Sequence, residues 1–281
     1  MQQKLEEILN EKIVSNSFIG GGSIADAQIV VTESGKKFFL KSYGNNKAIL
    51  QNEANGLNEL TKSNVIRIPT VIAVVDDFLL LEFIETGRKG RGFSELFGRQ
   101  LAKMHRTTSD KFGFYENNFI GSTPQLNIPT NSSWLDFFWE NRLLFQFKLA
   151  ERDGYVNSDF RNLFIKLEKQ IPSIIKGTEE KPTLLHGDLW SGNFMVDENG
   201  NPVLIDPAVY YGHREADLAM TRMFGGFDST FYSAYNNELP LPDDWEYRIN
   251  LYMLYHVMNH LNLFGSGYYS QVISIIKKYV K

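Results

Sequence analysis

Three oxygen-bearing side chains with a distinctive spacing lie in the second half of the chain. Asp188 belongs to His186-Gly187-Asp188, Asn193 follows it by five positions, and Asp206 comes directly after the apolar run Val203-Leu204-Ile205. A carboxylate can orient a hydroxyl group and accept its proton, and amide and carboxylate oxygens are ligands that suit magnesium. The three side chains therefore predict a site that activates a hydroxyl beside a magnesium ion, with Asp188 as the base.

The chain between Asn193 and Asp206 predicts how the two metal ligands meet. An Asn-Gly pair at 199–200 separates two short apolar runs, which is typical of a β-hairpin. The step from Asp188 to Asn193 also matches that from the catalytic Asp to the metal-binding Asn in the protein-kinase catalytic loop. Each residue type is common in turns. The ordered set, more than any single member, indicates phosphoryl transfer.

The first half of the chain offers groups that could hold a nucleotide. A glycine-rich stretch between two strand-like runs consists of Gly20, Gly21, Gly22, Ser23 and Ile24. Its glycines would let backbone N–H groups approach phosphate oxygens. Lys41 ends a strand-like run, and Glu53 lies 12 residues further on in a predicted helix, as in the Lys–Glu pair of kinases. A plain turn, a solvated lysine and an exposed glutamate are the structural alternatives.

Hydrophobic periodicity divides the chain into a β-rich part and a helical part. Strand-like runs lie at 16–20, 26–32, 37–42, 72–75 and 78–83, with helical patterns at 2–12 and 46–62. Further helical patterns lie at 94–106, 133–152, 158–170, 214–223, 228–236, 244–263 and 268–280, and a β-like interruption lies at 184–206. We therefore predict an α+β protein with a small β-rich N-terminal lobe at 1–86 and a larger, mostly helical C-terminal lobe at 87–281. Ligands commonly bind at such lobe junctions.

Residues 79–84, the apolar run before the Gly/Arg/Lys linker at 87–92, suit a strand that borders the adenine of a bound nucleotide. The run contains Glu82 and Ile84, and we expect both to contact the nucleotide through backbone groups, for which residue type says little.

Composition narrows the function further. The 281 residues carry a formal charge of −4 and no long Lys/Arg run, which argues against a nucleic-acid partner. The sequence contains no cysteine, so disulfides and thiolate metal sites are excluded. No apolar run reaches membrane-spanning length and the N-terminus lacks a signal-peptide core, so we expect no membrane partner and a cytoplasmic location. The oligomeric state is left open.

The motifs together resemble the fructosamine kinase family, also called ketosamine-3-kinases, in the protein-kinase-like superfamily near the aminoglycoside and choline kinases. The segment His-Gly-Asp-Leu-Trp-Ser-Gly-Asn at 186–193 carries the resemblance most specifically. Other family-like stretches lie at 112–114, 118–121, 124–127, 134–143, 212–219 and 259–265. The resemblance covers nearly the whole chain. One departure is Ser23, where many relatives have Cys.

The resemblance implies phosphorylation by ATP of the 3-hydroxyl of a ketosamine, the sugar adduct of an amine such as a lysine side chain, free or on a protein. In the family the 3-phosphate is unstable and leaves the amine, so the activity is a deglycation repair. It implies Asp188 as the base, Asn193 and Asp206 as Mg²⁺ ligands, Lys41 and Glu53 as the phosphate-positioning pair, and Gly20 to Ile24 as the loop over the nucleotide.

Two residues are candidates for substrate contact. Trp190 follows Asp188 by two positions and could wall the acceptor site, while His260 is a candidate hydrogen-bond donor to the acceptor. A core tryptophan and a structural histidine are the alternatives. We interpret His186 as a brace of the loop, and Glu215 and Asp217 as helix-terminal architecture.

Two other functions stay open at this point. One is a kinase of the same fold that acts on choline, homoserine, a thio-sugar or an aminoglycoside. The other is an inactive pseudokinase, which is disfavoured because Lys41, Asp188, Asn193 and Asp206 are all present.

Overall fold

Contacts between residues divide the chain into two units. The computed structural model describes residues 1–19, 26–44, 47–75 and 77–280. One unit combines Met1–Phe93 with Asn193–Pro207, and the other combines Ser94–Gly192 with Ala208–Lys281. This differs from the predicted division after residue 86, because the first unit continues to Phe93 and also takes in the hairpin segment that carries both predicted metal ligands.

The predicted strands and helices follow one another in the predicted order, with further short strands between them. The strands of the described chain are β1 (Ile13–Ile19), β2 (Asp26–Thr32), β3 (Lys37–Ser42), β4 (Val71–Val75), β5 (Phe78–Glu82), β6 (Asn118–Ile120), β7 (Thr123–Gln125), β8 (Thr183–Leu185), β9 (Phe194–Val196), β10 (Pro202–Leu204) and β11 (Tyr210–Gly212). The helices are α1 (Gln2–Leu9), α2 (Lys47–Thr61), α3 (Phe93–Met104), α4 (Trp134–Phe138), α5 (Phe145–Arg152), α6 (Ser158–Ile175), α7 (Glu215–Met223), α8 (Ser229–Glu238), α9 (Trp245–Phe264) and α10 (Tyr269–Lys277). A π-helical turn at Trp139–Leu144 joins α4 to α5, and a 3-10 turn at Ser266–Tyr268 precedes α10.

An antiparallel sheet forms the centre of the first unit. Its strand order is β1-β2-β3-β5-β4, so β3 lies between β2 and β5. Alternate residues of β2 point inward, and Val30 joins Leu5, Leu40, Phe78 and Leu80 in a buried apolar cluster. This central position of β3 fixes the backbone that carries Lys41.

Helix α2 packs on β4 and β5 through a face with helical spacing. Leu50, Leu57 and Leu60 are buried on this face, and Glu53 shares it because it lies three positions from Leu50 and four from Leu57. A carboxylate on the buried face of a helix needs a partner. The helix therefore turns Glu53 toward the sheet.

The predicted hairpin is formed by β9 and β10. Phe194 pairs with Leu204, and the N–H of Ile205 donates to the carbonyl of Asn193 at 3.1 Å. Within the turn, Gly200 takes a left-handed conformation with φ of 82°. Asn193 and Asp206 thus flank the open end of the hairpin.

Helix α9 is the central element of the second unit. It is buried around much of its circumference and packs against α5, α7 and α10. Two short antiparallel pairs, β6 with β7 and β8 with β11, complete the unit. Strands of three residues are too short to show an alternating pattern, so the β6–β7 pair was not predicted.

The α+β class is confirmed, with differences at some helix ends. The predicted end of α6 before Pro172 is wrong, because the helix continues to Ile175. A proline removes one backbone donor, and here the buried side chains of Ile171 and Ile175 hold the last turn in place. Among the described helices, none combines the length and apolarity needed to cross a bilayer.

Candidate active site

Lys41 is the centre of a buried charge cluster in the first unit. Its Nζ lies 2.7 Å from Glu53 Oε1 and also bonds the carboxylate of Asp206. The side chains of Lys41 and Glu53 are only 6% and 7% exposed. Burial alone would lower the pKa of Lys41, but the charges of Asp206 and Glu53 outweigh it and raise that pKa above its usual value. The predicted Lys41–Glu53 pair is present, and Lys41 is held as a cation.

Asp206 reaches this cluster from the end of the β9–β10 hairpin. Its φ is 55°, a left-handed conformation that is uncommon outside glycine and is found at functional sites. The Asn193 amide donates to the backbone carbonyl of Asp206 at 3.4 Å. Asp206 keeps 43% of its side chain exposed. The Asn193 amide therefore contacts the main chain of Asp206, whose carboxylate is accessible, and amide and carboxylate oxygens are ligand types that fit magnesium.

The other residues predicted to bind the nucleotide are the glycine-rich stretch and two residues at the end of β5 and after it. Gly20 to Ile24 lie outside the described residues. The Glu82 side chain bonds Arg67 at 2.7 Å and Thr70, and its N–H donates to the Thr70 carbonyl, so its side chain is engaged within the first unit. Ile84 is buried, with 4% exposure. Contact of Glu82 and Ile84 with adenine stays a prediction.

In the second unit, Asp188 lies in a loop that follows β8. Asp188 is half-buried between the fully buried Gly187 and Leu189. Gly187 has φ of 82°, and a Cβ there would lie 2.0 Å from the carbonyl oxygen of Ala208. Only glycine fits this position. The N–H of Asp188 donates to His186 Nδ1 at 3.3 Å, so His186 braces the loop as interpreted from the sequence.

The carboxylate of Asp217 anchors the same loop from the first turn of α7. It accepts the N–H groups of His186 and Gly187, each at 2.8 Å, and lies 3.2 Å from His105 Nε2. Burial would raise the pKa of Asp217, but the donated hydrogen bonds from His105 and from the loop outweigh it and lower that pKa. Asp217 is thus a buried, ionised anchor for the backbone just before Asp188.

Buried amides of the β6–β7 hairpin hold a second backbone segment of this unit. Gln125 donates to the carbonyl of Ala208 at 2.9 Å, and Asn118 donates to that of Val209 at 2.8 Å. The N–H of Ala208 in turn donates to the His186 carbonyl. The sequence singled out these amides only as family-like residues. Their role was missed because their partners lie more than 80 positions away.

An aromatic surface in the second unit includes both predicted substrate residues. Trp190 is half-buried and forms a T-shaped pair with Phe224, with ring centroids 5.5 Å apart. Phe224, 45% exposed, lies 5.3 Å from the ring of His260. The rings of Phe264 and Tyr268 also lie close to His260, with centroids 5.3 and 5.1 Å away. The structure brings Trp190 and His260 together through Phe224, which the sequence did not predict.

The hydrogen bonding of His260 changes its expected role. Its Nδ1 lies 2.8 Å from the backbone carbonyl of His256, and a carbonyl can only accept, so Nδ1 carries the hydrogen. Burial lowers the pKa of His260, so the ring is neutral near pH 7. In this tautomer Nε2 is an acceptor. Nε2 is thus available as an acceptor, and contact of His260 with the substrate stays a prediction.

Comparisons with known proteins match this architecture over the full chain. A protein-ribulosamine 3-kinase, chloroplastic, from Oryza sativa subsp. indica is 43% identical over 279 residues, which cover 96% of this chain and 80% of that protein. A crystal structure of a "putative fructosamine-3-kinase" from Thermobifida fusca superposes with a TM-score of 0.91 at 29% identity, covering 99% of this chain and 98% of the other.

More distant structures share the fold alone. The ADP-bound aminoglycoside phosphotransferase APH(2″)-Ib superposes with a TM-score of 0.64 at 14% identity, covering 98% of this chain and 96% of that one. The predicted kinase-like fold is confirmed. The fructosamine kinase family model matches residues 1–281, and the chain belongs to the fructosamine kinase family.

Proposed function

We propose that this chain transfers the terminal phosphoryl group of ATP to the 3-hydroxyl of a ketosamine, with Mg²⁺ as cofactor. The observation that carries the proposal is the contact of buried Lys41 with both Glu53 and Asp206. A lysine held charged by two carboxylates, one of them at the end of a hairpin that also carries Asn193, suits a nucleotide phosphate site. Membership of the fructosamine kinase family supports a ketosamine as the acceptor.

In the proposed nucleotide site, Lys41 binds phosphate oxygens and Glu53 fixes the direction of its ammonium group. Asn193 and Asp206 would hold magnesium, which when bound supplies positive charge against the phosphates. Within the described residues, no three or more His, Asp or Glu side chains form a cage for a metal. Magnesium commonly takes one or two protein oxygens and completes its shell with phosphates and water. Two protein ligands therefore suffice.

Asp188 is the proposed general base. Its carboxylate orients the 3-hydroxyl of the sugar and accepts its proton as the new P–O bond forms. Asp217 and His186 hold the backbone N–H groups of residues 186–188, which fixes the backbone that carries Asp188. The ketosamine 3-phosphate then decomposes and releases the free amine, as the family resemblance implies.

The aromatic surface of the second unit is the proposed acceptor wall. The faces of Trp190 and Phe224 suit the apolar C–H face of a sugar. The Nε2 atom of neutral His260 can accept a hydrogen bond from a sugar hydroxyl or from the protonated amine of the ketosamine. Both donors are present in a ketosamine.

An acceptor panel tests the substrate. Purified protein with Mg-ATP is given lysine-linked fructosamine and ribulosamine, free and within a peptide, and also choline, homoserine and an aminoglycoside. We expect ADP release with the ketosamines and phosphorylation at the sugar 3-position by ³¹P NMR. Phosphorylation of choline, homoserine or the aminoglycoside in place of the ketosamines would show that the acceptor is different.

A substitution tests the base. Replacing Asp188 by Asn removes the proton acceptor, so we expect kcat to fall by at least about 100-fold. Asp136→Asn, at an exposed aspartate in the first turn of α4, is the matched control and should retain wild-type kcat. An Asp188→Asn enzyme as fast as the wild type would remove Asp188 from the mechanism.

A further inference from the structure

The guanidinium of Arg67 lies among three carboxylates of the first unit. Its Nη2 donates to Glu82 at 2.7 Å, and its Nη1 donates to Asp197 at 3.2 Å and Glu198 at 3.1 Å. Glu82 ends β5, whereas Asp197 and Glu198 belong to the turn between β9 and β10. One side chain therefore ties the end of the central sheet to the tip of the hairpin that carries Asn193 and Asp206.

The backbone of Arg67 contacts β10, the second strand of the hairpin, at the end away from the turn. Its carbonyl accepts the N–H of Leu204 at 3.1 Å, and Arg67 forms an isolated parallel bridge with Val203. Leu204 is two positions before Asp206. Arg67 thus holds β10 at both ends, by its side chain at the turn and by its main chain beside the predicted metal ligand.

The segment after β5 encloses the turn from another side. The N–H of Gly87 donates to Val196 at 2.9 Å, and that of Gly90 donates to Gly200 at 3.2 Å. A Cβ at Gly87 would lie 2.2 Å from the carbonyl oxygen of Asp197. This close approach requires glycine. The predicted linker at 87–92 therefore packs against the hairpin turn.

The charges around Arg67 make it the component on which this arrangement depends. Burial would raise the pKa of Asp197 and of Glu82, but bonds from backbone N–H groups and from Arg67 outweigh it and lower both pKa values. Both groups are therefore ionised at neutral pH. Without the guanidinium, like charges would face one another between the end of β5 and the turn, and they would repel.

We propose that Arg67 is a positioning residue for the metal site. It fixes the β9–β10 hairpin on the end of β5, so that Asn193 and Asp206 keep the spacing needed to share one magnesium ion. The metal-binding part of this inference rests on the proposed function, whereas the ordering of the hairpin by Arg67 does not.

Two variants of Arg67 test the inference in the ligand-free protein. Hydrogen–deuterium exchange of residues 193–206 is compared among wild type, Arg67→Gln and Arg67→Lys. We expect about fivefold faster exchange in Arg67→Gln, as for the loss of partly exposed ion pairs, and an intermediate rate in Arg67→Lys, which keeps one charge but loses the forked geometry. Since 32% of the Arg67 side chain is exposed, its replacement leaves the core intact. If Arg67→Gln does not fold, Arg67→Lys gives the same comparison.

Enzyme kinetics then test whether the position of the hairpin affects the Mg²⁺ requirement. In Arg67→Gln we expect about a fivefold higher Mg²⁺ concentration for half-maximal activity, with the KM for the ketosamine unchanged. Arg99→Gln, which removes the surface arginine paired with Glu95, is the matched control and should resemble wild type in both measurements.

Wild-type exchange of residues 193–206 in Arg67→Gln would overturn the inference, as would equal acceleration in Arg99→Gln. Faster exchange with an unchanged Mg²⁺ requirement would overturn its metal-binding part. If wild-type protein phosphorylates no ketosamine, the proposed function fails, and the exchange measurement still decides whether Arg67 orders the hairpin.

Discussion

Lys41 shows how one residue type acquires a chemical role from its surroundings. An ammonium group with 6% exposure loses most of its hydration, which disfavours the charged form. Glu53 and Asp206 restore that form, and Tyr43 adds a hydrogen bond to Glu53 at 3.2 Å that fixes the carboxylate. Burial and the charge of Asp206 in turn raise the pKa of Glu53, while Lys41 opposes the rise. The lysine and its partner therefore depend on each other.

Replacement of Lys41 by Met separates its catalytic and structural contributions. We expect kcat/KM for ATP to fall by at least about 100-fold, because a fixed cation at the phosphates is lost. We also expect the unfolding free energy to fall by about 3 kcal/mol, because Glu53 is left buried without its partner. Adding Glu53→Gln should restore much of the stability and none of the activity. Recovery of activity in the double variant would contradict the role of Lys41.

Helix α7 connects the helical core of the second unit to the loop that carries Asp188. Arg248 of α9 forms a two-pronged, fully buried ion pair with Glu215 at the start of α7, with N–O distances of 2.7 and 2.9 Å. Two residues further on, Asp217 receives the N–H groups of His186 and Gly187. The position of the helix therefore decides the position of the loop. The sequence had assigned both carboxylates to helix-terminal architecture.

Asp217→Asn tests this connection between helix and loop. An asparagine offers one acceptor oxygen in place of two, so a buried donor is left unsatisfied, at a cost of about 1–3 kcal/mol. We expect kcat to fall by about tenfold or more with little change in the KM for ATP, because the loop is displaced while the nucleotide residues are not. Asp159→Asn, at an exposed aspartate in the first turn of α6, is the control. A wild-type kcat in Asp217→Asn would refute the connection.

For the whole molecule, the path of the chain determines which unit contains each residue proposed for function. Lys41 and Glu53 belong to the first segment of the first unit, Met1–Phe93. Asn193 and Asp206 belong to its second segment, Asn193–Pro207, which follows 99 residues of the second unit, Ser94–Gly192. Asp188, Trp190 and His260 belong to the second unit. Residues 1–93 alone would therefore lack Asp206, one of the two partners of Lys41.

Global stability should depend on pH through the buried ring of His256. Burial, together with the charges of His260 and Arg142, lowers the pKa of His256 to about 3, against the opposing charge of Asp217. An unfolded histidine has a pKa of about 6.5. The unfolded state therefore binds more protons between these values, so this contribution is complete above about pH 6.5 and is lost as the pH falls toward 3.

Denaturant unfolding at a series of pH values checks this contribution. The unfolding free energy of wild-type protein should fall by up to about 1.4 kcal/mol per pH unit for this group as the pH decreases below 6.5. His256→Asn should show a slope smaller by that amount. Equal slopes for the two proteins would mean that His256 does not titrate on unfolding.

The sequence by itself predicted most of the helices and strands and the residues proposed for the reaction. Asp188, Asn193 and Asp206 were found because their types and spacing lie within one short segment, and the hairpin between them was visible from an Asn-Gly turn. Lys41 and Glu53 followed from the neighbouring strand and helix. Periodicity and turn chemistry are local properties, so a sequence displays them directly.

Only the tertiary structure decided which partner each polar group has. It assigned the side chain of Glu82 to Arg67, the loop backbone to Asp217, and the Nδ1 hydrogen of His260 to a carbonyl one helical turn away, which made Nε2 an acceptor. Arg67 and Asp197 lie 130 positions apart. Such contacts arise when distant segments pack and buried polar groups must find partners, and no pattern of neighbouring residues records them.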